Sequence, residues 1–166
     1  MYTGLLHLHN LLRWVILILL VVNIIKIATG GSKVKYSKWL LIAAHTTLLI
    51  GLYQYFAGGS GFALIQQKGM SAVMKDSADR FWAVEHISGM IVAIVFITIG
   101  HVGLKKGNTK KANMFFVLAL ILILAVVPWP FRDGIGRPRP LFPGMSTETS
   151  MLHIPSTVQV SDTTLV

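Results

Sequence analysis

The sequence predicts an all-α membrane protein: a bundle of four transmembrane helices followed by an irregular, polar C-terminal tail. Composition is the first observation. Hydrophobic residues make up 54% of the 166 and charged residues only 13%, whereas soluble domains carry about 45–50% and about 25%. Span length is the second. A helix crosses hydrocarbon with about 20 apolar residues, and runs over about 5–28, 39–57, 81–104 and 113–129 meet that need. Punctuation is the third: Thr29-Gly30-Gly31-Ser32, Gly58-Gly59-Ser60-Gly61 and the polar stretch Lys105–Lys111 separate the runs, and Pro128-Trp129-Pro130 stops the last. Residues 1–130 thus form the membrane domain and 131–166 the tail.

Each run has its own justification. The first centres on WVILILLVVNII, with Arg13 before it and Lys26 at its end. No A-x-A cleavage pattern follows, so it reads as a retained helix rather than a signal peptide. Trp39, Trp82 and Trp129 stand at the ends of the second, third and fourth runs, where interfacial anchors belong. The loop between the second and third contains FALIQQ, a candidate interfacial helix. The tail opens with Gly and Pro and turns rich in Ser and Thr. It reads as flexible chain, or as one strand added to a partner.

Four spans return the chain to the face it started from, termed here the N-terminal face. The opposite face collects Lys26, Lys33, Lys35 and Lys38 around one short loop and Lys105, Lys106, Lys110 and Lys111 around the other. Lysine density in short loops sets orientation, which puts this lysine-rich face in the cytoplasm and both termini outside. The net charge of +9 belongs to this topology, since so apolar a chain leaves no room for a nucleic-acid surface. Cysteine is absent, which excludes disulfides, thiolate metal sites and Cys nucleophiles. No P-loop, GxGxxG, HExxH or Ser/His/Asp arrangement is present, and the methionines show no paired spacing for copper.

Ionisable residues inside a span are costly and mark functional sites. His9 and His86 each fall about five residues inside the N-terminal face, on the first and third helices, at about 1.5 Å of rise per residue. His45 and His101 fall near the lysine-rich face, on the second and third. Two histidines at matched depth on different helices are what six-coordinate haem b needs. The expectation is therefore one or two haems, with His9 and His86 as axial iron ligands near one face and His45 and His101 near the other. Gly89, Ala93 and Gly100 would leave room for a flat group. Arg13 could pair with haem propionates, or form a buried ion pair with Glu85; Glu85 beside His86 could alternatively relay protons. Tyr53, Gln54 and Tyr55 are candidates to hydrogen-bond a cofactor or quinone. Against all of this stands the plainer role of intramembrane His as interhelical glue.

Several motifs together resemble a known family: HLHNLLRW at His7–Trp14, AHTTLLIGLYQYF at Ala44–Phe56, MKDSADRFWAVEH at Met74–His86, ITIGH at Ile97–His101 and VVPWPFR at Val126–Arg132. They are similar to small four-helix inner-membrane proteins of Bacteroidetes-type bacteria that are labelled cytochrome b-like. The histidine layout also resembles di-haem b-type subunits of the b561 and respiratory-dehydrogenase kind, although here the fourth helix has no histidine. The resemblance implies a small b-type electron-transfer subunit of a bacterial inner membrane, working with a larger membrane complex and with quinone as a candidate partner. The rival expectations are a haem-free structural subunit of such a complex and a component of a proton- or metal-handling transporter.

Overall fold

The computed structural model describes residues 2–31 and 33–129. They form six helices and, among the described residues, no strand. The helices are α1 (Tyr2–Ala28), α2 (Val34–Ala57), α3 (Phe62–Lys68), α4 (Met70–Lys75), α5 (Ser77–Lys105) and α6 (Thr109–Val126). α1, α2, α5 and α6 are long and apolar enough to cross a membrane, and the protein is a multi-pass helical bundle suited to a lipid bilayer. The proposed tail strand and the arginines at 132, 137 and 139 lie outside the described residues.

Each long helix packs against its sequence neighbour, and α1 closes the ring against α6. The order around the bundle is therefore α1, α2, α5, α6, an up-and-down arrangement joined by short loops. α1 and α5 stand diagonally across the interior. The core is Ile16, Leu17 and Leu20 of α1, Leu40 and Ala44 of α2, Ala93, Ile94 and Ile97 of α5, and Phe116, Ala119 and Ile123 of α6.

The loops at the lysine-rich face turn on glycine. Gly30 and Gly107 take φ of 71° and 74°, a left-handed conformation that costs L side chains energy. Asn108 then caps α6, its side chain accepting from Lys111 N–H at 3.0 Å. At the N-terminal face the α2–α5 connection folds into α3 and α4, and FALIQQ is helical as the sequence suggests. Lys68 bonds Asp79, which holds the exposed Lys68 ammonium protonated above its ordinary range. Asp76 caps the start of α5 by accepting from Asp79 N–H at 2.8 Å.

Two expectations are corrected here. The small residues of α5 make no room for a flat group; they let α6 approach. A Cβ on Gly89 would lie 2.6 Å from Val126 Cγ1, and one on Gly100 2.6 Å from the Phe116 ring, while Ala93 is fully buried in the core. Close backbone approach through small residues is the usual means of helix association in membranes, where no hydrophobic drive exists between spans. Glu85 pairs with Arg80 rather than Arg13, Nε to Oε1 at 2.7 Å.

Candidate functional site

At the N-terminal end of the bundle the helices border a partly open cavity of about 240 Å³. His9, Asn10 and Arg13 reach it from α1, Thr47, Gly51, Gln54 and Tyr55 from α2, and Trp82 and His86 from α5. Leu6, Leu48, Ile87, Met90, Ile94 and Val127 give it apolar walls. On α1 one stripe faces the interior: His9 and Arg13 border the cavity, and Ile16, Leu20 and Asn23 are buried below it. Gly51 seats His9, because a Cβ there would come 3.3 Å from His9 Cε1.

His86 is held by the end of α6. Its Nδ1 lies 2.8 Å from the carbonyl of Val126. A carbonyl can only accept, so Nδ1 carries the proton, and Nε2 of the neutral ring keeps its lone pair. The Val126 oxygen is available for a sequence reason. The helix stops there: Val127, which precedes Pro128, is extended (φ −72°, ψ 135°), so the α-helical ladder does not run on past Val126. Leu124 lies four residues before Pro128, which has no N–H, and its carbonyl accepts the Trp129 indole N–H at 2.9 Å. The helix end at Pro128 therefore leaves two carbonyls, and a tryptophan and a histidine fill them.

The backbone just before His86 is unusual. Over Phe81–Glu85 α5 widens into a π-helical turn, in which His86 N–H bonds the Phe81 carbonyl five residues back. Such turns are frequent at functional sites. The Tyr55 hydroxyl donates to Ala83 O inside this turn at 3.1 Å, and Gln54 Nε2 donates to Leu5 O at 2.9 Å, so both buttress the cavity wall. Tyr53, the third member of that trio, is 52% exposed on the outside. The Trp82 and Phe81 rings flank His86, with centroids 6.1 and 6.0 Å from it.

Arg13 is sheltered by aromatic faces. Its guanidinium carbon lies 5.4 Å from the Trp14 ring and 5.6 Å from the Trp129 ring, distances at which cation–π attraction contributes about 0.5–2 kcal/mol. The two indoles meet edge to face at 6.0 Å. This keeps a positive charge at the cavity wall without a carboxylate partner from Glu85.

The second histidine pair is arranged differently. His101 is buried between α5 and α2, its Nδ1 2.8 Å from Ser37 Oγ. Ser37 gives its own proton to Val34 O at 2.9 Å, so its oxygen accepts from the imidazole. His45 points outward, its Nδ1 donating to Leu41 O of its own helix at 2.9 Å. One ring is thus inside the bundle and the other outside it, and no haem fits between His45 and His101 within one chain.

For the first pair the residue types are those that one haem would need. His9 and His86 approach from opposite helices, Arg13 supplies a cation, and the walls are apolar. Among the described residues no three His, Asp or Glu side chains converge on a point where a metal ion could sit. The volume is below the about 300–1,000 Å³ of pockets for drug-sized ligands. Comparison with family models, curated proteins and solved structures gives no match, and the site is interpreted from its own geometry.

Proposed function

We propose that this protein is a small b-type cytochrome-like subunit of a bacterial inner membrane, with a single haem in the cavity at the N-terminal face. The observation that carries the reading is the His86 ring, whose Nδ1 proton is fixed on the Val126 carbonyl beside a cavity that His9 also lines. Metal-bound imidazoles usually donate their other N–H to such a carbonyl, which sets the tautomer and raises ligand basicity. Haem would supply one-electron transfer. This chain's residues would do the rest: His9 and His86 would hold the haem, Arg13 would pair with its propionates, and the apolar walls would limit water. With one haem rather than two, electrons would pass between partners at one membrane face instead of crossing the bilayer. Those partners are a larger membrane complex and, at the same level, quinone. The lysine-rich face is assigned to the cytoplasm.

The test is a dithionite-reduced minus air-oxidised spectrum of detergent-purified protein made with ample haem, with stoichiometry from the pyridine haemochrome. The expected result is a b-type α band at about one haem per chain. Two haems per chain would overturn the single site. A flat spectrum would overturn the cytochrome reading and favour the haem-free structural subunit, in which His86 and His101 serve only as the interhelical hydrogen bonds seen here.

A further inference from the structure

The outward face of α2 carries an adjacent imidazole and hydroxyl within the span. Between Trp39 and Phe56 its exposed positions are Trp39, Ile42, His45, Thr46, Leu49, Tyr53 and Phe56, a continuous stripe at helical spacing. Trp39 to Phe56 covers about 26 Å at about 1.5 Å per residue, nearly the about 30 Å of a hydrocarbon core. His45 lies about 9 Å inside Trp39 on the same scale. Mid-span, the exposed residues of the other helices are apolar, Leu11, Ile18 and Val21 on α1, Ile91, Val92 and Val95 on α5, and Leu118, Ile121 and Leu124 on α6, while the exposed His7 and Ser88 lie toward the N-terminal face. α2 is also the least apolar of the four spans. An imidazole and a hydroxyl directed into lipid are costly, and this pair lies outside the cavity described above.

We propose that this stripe is the interface of a two-fold dimer of the protein within the membrane. The argument is self-complementarity. His45 has placed its Nδ1 proton on Leu41 O, so its outward Nε2 is an acceptor. Thr46, one residue on and also exposed, carries a hydroxyl donor. Two copies inserted with the same topology are related by an axis along the membrane normal, and residues of equal depth then face each other. Thr46 of each copy meets His45 of the other within about 1.5 Å of depth, and one symmetric contact satisfies both polar groups of both chains. Ile42 and Leu49 pack above and below. The dimer is independent of whether the cavity holds haem.

The absence of cysteine makes the experiment direct. Single cysteines at Ile42 or Leu49, and at the equally exposed Ile18 or Ile121 of other helices, are introduced into the full chain and oxidised in native membranes. Ile42→Cys and Leu49→Cys are expected to give about tenfold more disulfide-linked dimer than Ile18→Cys or Ile121→Cys. Adding His45→Leu or Thr46→Val to Leu49→Cys is expected to lower that yield several-fold, since interhelical bonds in membranes contribute about 0.6–2 kcal/mol each. Both changes are on the outer surface and leave the core intact. Equal yields at all four positions would mark random collision and overturn the interface. So would no cross-link at all, cross-linking of Leu49→Cys only to a different protein, or yields indifferent to both His45→Leu and Thr46→Val.

Discussion

His86→Ala protein is expected to lose the reduced b-type α band, and His9→Ala to lose it or convert it to a high-spin spectrum, while His45→Ala and His101→Ala retain one haem per chain. The contrast follows from where the rings lie. His9 and His86 border one cavity, His45 is outside the bundle, and His101 is enclosed against Ser37. His86 also ties α5 to α6 through Val126, so loss of colour could follow from loss of structure. Two readouts separate these causes: gel filtration in detergent should remain monodisperse, and added imidazole should restore a low-spin spectrum to the folded variant. Retention of the band in His86→Ala, or its loss in His45→Ala, would refute the ligand assignment.

Gly100→Leu is the substitution expected to damage the fold most. Its Cβ alone would come 2.6 Å from the ring of Phe116, which is itself completely buried. Phe116 has nowhere to move, so α5 and α6 must separate along the seam that also includes Gly89 against Val126. Overpacking of this kind typically costs about 1–3 kcal/mol, sometimes more. The expected outcome is a broad aggregated profile in detergent or a clearly lowered Tm. Gly4→Leu, at a position with nothing within 4 Å, should behave as the unmodified protein. A normal Tm for Gly100→Leu would mean that the α5–α6 seam is looser than described.

The four spans were legible because hydrocarbon thickness sets their length, and each apolar run falls on a long helix. The ends were less so: α2 begins at Val34 and α6 at Thr109, several residues before the apolar runs, because helix formers such as Lys continue the helix into the headgroup region while a hydropathy reading sees only the core. Depth could be read from sequence but direction could not. His45 and His101 match in depth, yet one faces out. The signal that separates them is the stripe of Leu40, Ala43, Ala44 and Thr47, small or buried residues that mark the packed side of α2 and put His45 on the other. Arg80 and Glu85 show the same limit. Arg13 and Glu85 lie near the same face, which made them candidate partners, whereas residues five apart on an α-helix are about 140° apart. The π turn between Arg80 and Glu85 adds a residue to that coil and permits the local pair.

The carbonyls freed by the PWP motif make the end of α6 a tuning element for a residue on another helix. The imidazole of His86 takes its polarity from an oxygen forty residues away in sequence, and that oxygen is available because the helix stops at Val126 ahead of Pro128. Drift at Pro128 that let α6 run on would offer Val126 a competing donor and let the ring exchange its tautomer. Inserting one residue in α6 ahead of Val126 would rotate the acceptor by about 100° and have the same consequence. In a pigmented protein either change would register as a shift in midpoint potential without any altered ligand. Electron affinity at this site would thus be inherited through where a helix stops.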